Sequence, residues 1–357
     1  MSKNQSVLID FFLKEWLLVV SAVGFVLVAF YSGHFPEYTI REVEVLFILF
    51  VLFIAVKGLQ NSGYISYLAQ VVENGKAIPL KLVVVTFFLS ILITNDVALI
   101  VIVPLTLSLN INRKDILVIL EALAANAGSA LTPFGNPQNL YIYWFYNLHA
   151  IKFITVIAPF SLILLSILIV ASLFVKTEAE EKSENHITEK INNKSALIYG
   201  VLLIIVLLSV LHILPIESCF IIIAYVLLFD RKTLKVDYSL LLSFFFFFGL
   251  ANNMKVLLES DIQHSGHVFI FSALASQFMS NVPVALLFSK FTSNWQALLW
   301  GTNTGGFGSL FGSFANLIVY RLYVTHKNIN KVAAFSVKFL ILGYAAFFIS
   351  IILYFIL

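Results

Sequence analysis

"NAGSALTPFGNPQNLYIY", residues 126–143, decides how this chain is read. It holds two glycines, two prolines, three asparagines and a glutamine, and apolar sequence surrounds it on both sides. Residues 115–131 continue as a helix, but Pro133 removes a backbone N–H and Pro137 biases Asn136 away from helical dihedrals. The "NLYIYWFYNL" that follows is too short to cross a bilayer alone. Residues 115–146 therefore read as one membrane crossing broken in the middle. Irregular backbone at membrane depth persists only where it is buried in protein or lines an aqueous cavity.

The surrounding composition supports a membrane setting. Of 357 residues, 60% are hydrophobic and 11% charged, and mean hydropathy is +0.97. Soluble domains carry roughly a quarter charged residues. Apolar runs of helical length recur along the chain, and the short alternating segments of a β-barrel are absent. The class is an all-α polytopic membrane protein. Crossings are expected at 16–32, 43–60, 115–146, 151–175, 196–213, 217–229, 239–258, 294–323 and 333–357, with an interfacial helix at 61–76. The first run, with no small-residue cleavage site after it, reads as a retained helix. The single Cys219 excludes an intrachain disulfide framework or cysteine metal cluster, and a net charge of +3 gives no nucleic-acid surface.

Lys and Arg in short loops set the expected orientation. With the N-terminus inside, Lys76, Lys81, Arg113, Lys114, Arg231, Lys232, Lys235, Lys327 and Lys331 all fall inside and the C-terminus is outside. The outer loops then hold scattered charges such as Arg41 with Glu37 and Glu42, Lys152, and Lys255 with Glu259 and Asp261.

The break is not unique. "NAGSALTPFGNPQNLYIYWFY" (126–146) aligns without gaps to "NTGGFGSLFGSFANLIVYRLY" (303–323), with eight of 21 positions identical, most of them Asn, Gly and Tyr. "ITNDVALIVIVPLT" (93–106) likewise aligns with "MSNVPVALLFSKFT" (279–292), and "GLQNSG" (58–63) resembles "GLANNM" (249–254). An odd number of segments separates the copies, so they are expected in opposite orientations, an arrangement found in transporters with a site at the repeat interface. The expected organisation is a lead-in over 1–42, repeat 1 over 43–175, a cytoplasmic linker over 176–195 and repeat 2 over 196–357.

Before each break, an apolar stretch (78–110 and 267–292) is split by a polar tip: Thr94-Asn95-Asp96 and Ser280-Asn281. Arms of about 15 residues reach roughly 22 Å, short of a hydrocarbon core of about 30 Å, so two re-entrant hairpins are expected. Ordinary surface turns are the alternative. Hydroxyl and amide groups can bind carboxylate or oxyanion oxygens and offer oxygens to Na+. The helix N-termini starting at the tips add positive potential. Asp96, matched by Val282 in the second copy, is either a proton carrier or Na+ ligand, or the N-cap of the following half-helix. Of the other intramembrane charges, Lys57 and Arg321 are expected to snorkel. Lys290 sits near a helix end, where holding an anion is the lesser expectation, and Glu121 is noted without a role. "FFFFF" at 244–248 reads as lipid-facing or packing sequence.

With "TNDVAL" (94–99), "GNPQNL" (135–140) and "SNVPVALL" (280–287) in place, the chain from about residue 43 onward resembles the citrate-transporter-like ion transporter superfamily. That group includes divalent-anion/sodium symporters, citrate transporters, arsenite permeases and some Na+/H+ antiporters. The resemblance implies that the hairpin tips and broken helices meet at a central site, and that a transport unit slides against a scaffold in a homodimer. It implies substrate contacts from Thr94, Asn95, Ser280 and Asn281, with Asn136 and Ser313 beside them. It implies coupling-cation contacts from the breaks, at Asn126, Gly128, Thr132, Asn139, Asn303, Gly305, Ser309 and Asn316, with Asp96. The chain departs from the symporter pattern, which has Thr after each tip Asn, at Asp96 and Val282.

The function expected is secondary active transport of a small anion, carboxylate or inorganic oxyanion, across the cytoplasmic membrane, coupled to Na+ or H+. An arsenite-type efflux permease or a Na+/H+ antiporter using Asp96 is the alternative. No G-x-x-x-x-G-K-[ST] and no H-E-x-x-H occurs, so neither ATP drive within the chain nor a zinc hydrolase is expected. The expected partners are the lipid bilayer, the solute and the coupling ion. No cofactor is expected beyond possible Na+.

Overall fold

The computed structural model describes residues 15–71, 77–109, 113–175, 192–258, 264–326 and 332–357. Lys76, Lys327, Lys331, Glu259, Asp261 and linker residues 176–191 lie outside the described residues. Those described form sixteen α-helices and no strand. The protein is an all-helical polytopic membrane protein.

Helix α1 (Trp16–Ser32), α2 (Ile40–Asn61) and the short α3 (Tyr64–Val71) precede the first hairpin. That hairpin is α4 (Ile78–Ile93) and α5 (Asn95–Ser108), which meet at Thr94 alone. The first broken crossing is α6 (Lys114–Ser129) and α7 (Pro137–Phe145), followed by α8 (Ala150–Leu173). Then come α9 (Asn193–Val210), α10 (Phe220–Phe229) behind a 3₁₀ turn, and α11 (Tyr238–Leu258). The second hairpin is α12 (Ser265–Met279) and α13 (Asn281–Phe288), and the second broken crossing is α14 (Trp295–Gly305) and α15 (Phe314–Val324). Helix α16 (Val332–Ile356) closes the chain.

Helices α8, α9 and α16 are each long and apolar enough to span a bilayer unaided. The hairpin arms are not. At 16, 14, 15 and 8 residues and 1.5 Å of rise each, they reach about 24, 21, 22 and 12 Å. The last arm stops at Phe288, earlier than the aligned stretch predicts. Helix α10 has only 10 residues and continues a 3₁₀ lead-in, shorter than the crossing expected at 217–229 would need.

The helices pack as two bodies. Helix α2 gathers α3, α9, α10 and α11, and α11 packs along α1. The hairpins, broken crossings, α8 and α16 form the other body. Within it the two copies exchange partners: α5 packs on α15 while α13 packs on α7, and α6 on α15 while α14 on α7. The bodies meet where α2 touches α7, α11 touches α13 and α3 touches α5. In the phenylalanine run, Phe244, Phe247 and Phe248 are buried, so packing accounts for them.

Lys290, the charge considered for holding an anion, is instead part of the contact between the bodies. Its Nζ lies 2.7 Å from Glu42 Oε1. The other carboxylate oxygen of Glu42 accepts the Thr39 N–H (2.8 Å), closing a capping box at the start of α2, and accepts from Asn252 Nδ2 (3.2 Å).

Candidate functional site

Both hairpin tips adopt the same strained backbone. Thr94 has φ +78° and ψ 145°, and Ser280 has φ +70° and ψ 153°. That region is essentially reserved for glycine, and each such residue costs about 1–3 kcal/mol, held only where the surroundings enforce it. The enforcing contacts are also the same. Asn95 N–H donates to Gly135 O (3.1 Å) and Asn281 N–H to Gly312 O (3.0 Å), tying each tip to its own break. A Cβ at Gly135 would meet Ser129 O at 2.3 Å, and one at Gly312 would meet Gly305 O at 2.5 Å, so only glycine permits the approach. The first N–H of each post-tip helix is consumed in this way, and Asp96 N–H turns to Asn95 Oδ1.

The breaks end in matching caps. Asn136 Oδ1 accepts the Asn139 N–H (3.0 Å) to start α7, and Ser313 Oγ accepts the Asn316 N–H (3.2 Å) to start α15. Between the breaks the copies bond crosswise. Asn126 Nδ2 donates to Asn316 Oδ1 at 2.8 Å, and Asn303 Nδ2 donates to Asn139 Oδ1 at 2.8 Å. Asn136 Nδ2 reaches Asn303 Oδ1, and Asn95 Nδ2 reaches Asn126 Oδ1, both at 3.3 Å. The structure thus brings Asn95, Asn126, Asn136, Asn139, Asn303 and Asn316 into one buried amide cluster. Asn281 joins it at Gly306, where a Cβ would sit 3.1 Å from Asn281 Nδ2.

The backbone carbonyls of the breaks are engaged. Asn139 Nδ2 donates to Ser129 O, Ala130 O and Thr132 O, and Asn316 Nδ2 donates to Gly306 O and Ser309 O. In the second copy Gln277 adds three more bonds, from Nε2 to Ala273 O, Gly305 O and Phe307 O. Its Oε1 accepts the Ser309 N–H at 2.8 Å. Gln277 was invisible as a site residue because its partner in the first copy is the apolar Ile91. Thr132 and Ser309 play equivalent parts, donating to Ile91 O and Gln277 O. Gly128 and Gly305 have a packing reason: a Cβ would meet Phe87 O at 2.3 Å and Ser276 Cβ at 2.3 Å, on the first arm of each hairpin.

Asp96 is not an N-cap. Thr94 occupies the cap position and Asp96 lies inside the first turn of α5. Its Oδ1 is buried with no hydrogen-bond partner among the described residues. Asp96 and Thr94 line a cavity of about 180 Å³ against the α2–α11 body, opposite Lys57, Gln60, Lys235 and Asp237. Lys57 there donates to Gln60 Oε1 (3.1 Å). Arg321 lines a separate groove beside Phe314 and Asp237. The arrangement offers hydroxyl and amide donors at two tips, a neutral centre and two carboxylates, Asp96 and Asp237, on the cavity wall.

Comparison with known proteins agrees with this reading. The profile of the family described as "Citrate transporter" matches residues 7–300. An uncharacterized transporter of Methanocaldococcus jannaschii is 37% identical over 294 residues, covering 79% of this chain and 82% of that protein. The inner membrane protein YbiR of Escherichia coli is 33% identical over 298 residues, 76% of this chain and 77% of its own length. The silicon efflux transporter LSI3 of rice is 32% identical over 130 residues, 34% of this chain and 27% of that protein. Two similar tips, two broken crossings and these matches lead to one statement: the chain is a multi-pass membrane transporter and belongs to the citrate transporter family.

Proposed function

We propose that this protein is a secondary active transporter that moves a small oxygen-rich solute, a carboxylate or an inorganic oxyanion, across the cytoplasmic membrane. The observation that carries the reading is the pair of strained hydroxyl-Asn tips, Thr94-Asn95 and Ser280-Asn281, converging on a buried asparagine seam between two copies. Strain of that kind clusters at ligand clamps. The hairpin body is the moving unit and the α2–α11 body the scaffold, in alternating access of the elevator type. The two copies stand in inverted orientation, the N-terminus is inside, the C-terminus is outside, and the working form is a homodimer.

The coupling ion in this reading is H+. The break carbonyls already accept from the amides of Asn139, Asn316 and Gln277, which leaves a poor cage for Na+. Asp96 keeps an unpartnered oxygen on the cavity wall, where a proton can bind and leave. Efflux of a weakly acidic oxyacid is the second reading. It is favoured by a central cluster whose hydrogen bonds involve amides, hydroxyls and backbone only, and by the relative named as a silicon efflux transporter.

Counterflow in proteoliposomes tests the reading with labelled citrate, succinate, sulfate, phosphate, arsenite and silicic acid. One solute class is expected to exchange, and Asn95→Ala and Asn281→Ala each abolish exchange in folded protein. Cation-driven pH changes without any solute exchange would overturn it in favour of a cation/proton antiporter.

A further inference from the structure

Glu121 is the most deeply buried carboxyl in the hairpin body, and nothing above uses it. It sits seven residues into α6, roughly 10 Å along the axis from Lys114, with an exposure of 0%. Thr106 Oγ1 donates to its Oε1. Its Oε2 is buried with no hydrogen-bond partner among the described residues. Buried polar atoms in native proteins are nearly always bonded, and buried charges are paired.

No counter-ion faces this carboxyl among the described partners of α6. On α6 itself Lys114 donates to Leu107 O and Asp115 pairs with Lys338 of α16. On α5, Asp96 lies ten residues, roughly 15 Å, from Thr106. Lys81, near the start of α4, lies at the same end of the hairpin as Thr106 and has an interaction of its own. Lys152 of α8 stands over Trp295, and on α15 Arg321 lines the groove near Phe314 while Tyr323 stacks on Phe335. Tyr320 of α15 bonds Ser336, Tyr354 of α16 stacks on Phe269 and Tyr344 of α16 packs on Phe347.

The second copy shows that packing does not demand a carboxyl here. Carried five residues before the break alignment, Glu121 corresponds to Leu298, which is equally buried, while Thr106 corresponds to Thr292 in the tip alignment. Thr292 lies beyond its arm, which ends at Phe288, and its hydroxyl accepts the Asn294 N–H. A leucine fits the corresponding helix position, so the carboxyl is a cost to folding that the first copy alone carries.

We propose that Glu121 is a second proton-binding site, carried inside the moving unit and separate from Asp96. Thr106 and Asp96 lie on the same arm, α5, so a shift of the first tip is transmitted to the side-chain hydrogen bond that Glu121 makes among the described residues. In the arrangement seen, the proton stays on the carboxyl. When α5 moves away from α6, water reaches the group, and the proton leaves as the carboxylate becomes hydrated. This role rests on the proton-coupled reading of the preceding section.

Two measurements on the full-length protein test it. In infrared difference spectra across a pH change, a carbonyl band of a protonated carboxyl is expected to respond in the wild type, to remain in Asp96→Asn, and to lose the component that Asp96→Asn retains when Glu121→Gln is made. In proteoliposomes, Glu121→Gln is expected to retain solute counterflow while pH-gradient-driven accumulation falls about tenfold, a typical coupling loss. Glu121→Leu is expected to behave in the same way and to melt higher than wild type. A pH response in the infrared that survives Glu121→Gln unchanged would overturn the proposal, whatever the transport assay gives. Full pH-driven accumulation by Glu121→Gln would also overturn it, leaving a permanently neutral structural carboxyl. If wild type shows no pH-driven transport while the Glu121 band still titrates, the proton-coupled reading fails and the binding site stands.

Discussion

The Glu42–Lys290 pair allows a quantitative test of how the two bodies are held together. Its atoms are 2.7 Å apart, and the residues are 1% and 9% exposed. Removing one partner of a buried pair typically costs about 3–5 kcal/mol, because a charge is left uncompensated. The two deletions are not equivalent. Lys290→Met leaves Glu42 with the Thr39 N–H and the Asn252 amide, so the remaining carboxylate is partly satisfied. A cost at the low end, about 3 kcal/mol, is expected for it. Glu42→Leu leaves the ammonium with the Phe145 ring 4.9 Å away but no carboxylate, and also opens the capping box, whose loss adds about 1 kcal/mol, for a total of about 4–5 kcal/mol. The double variant removes both charges and should cost about what the loss of the cap and one methylene-scale mismatch cost, about 1–2 kcal/mol. The implied coupling is about 4 kcal/mol or more, well above the few tenths that separate independent sites. Reversible unfolding in mixed micelles measures the four states of the cycle. Additive single effects would refute the reasoning, and so would Lys290→Met proving costlier than Glu42→Leu.

Two further outcomes are expected. Thr94→Gly and Ser280→Gly relieve backbone strain worth about 1 kcal/mol or more at each tip, so both variants should unfold at higher denaturant while losing solute affinity with the hydroxyl. His212 stands outside the spanning helices, stacked on Tyr143 and against Trp144, and burial together with His149 lowers its pKa below 6.5. The unfolded chain then takes up that proton first, so the contribution is complete above pH 6.5 and is lost as pH falls below it. His212→Asn, which tolerates the local φ of +58°, should flatten that part of the melting profile measured between neutral and mildly acidic pH.

Much of the architecture was legible because lipid imposes a local rule. A backbone that enters hydrocarbon must satisfy its own hydrogen bonds, so "TPFGNP" and "GGFGSLFGS" inside apolar sequence announce broken crossings. Arm length alone argued for re-entrant hairpins at Thr94 and Ser280, and the internal alignment named the asparagines that later met. Neighbours in the chain could not reveal the partners. The bonds Asn126 to Asn316 and Asn303 to Asn139 span 190 and 164 residues, and Lys290 to Glu42 spans 248. Such pairs exist only once two bodies pack, so Lys290 looked like a free cation and Asp96 like a possible cap. Gln277 and Glu121 break the repeat symmetry that guided the reading, and their sequence neighbourhoods carry no signal. The positive φ at the two tips is likewise imposed from outside, by Gly135 O and Gly312 O in the breaks between separate half-helices. The sequence by itself determined a membrane-embedded bundle with two interrupted helices and two polar tips, because each of those features is settled within a few turns of chain. Only the tertiary structure decided which amides close the breaks, which charges pair across the seam and which carboxyls remain alone, because those depend on groups brought together from distant helices.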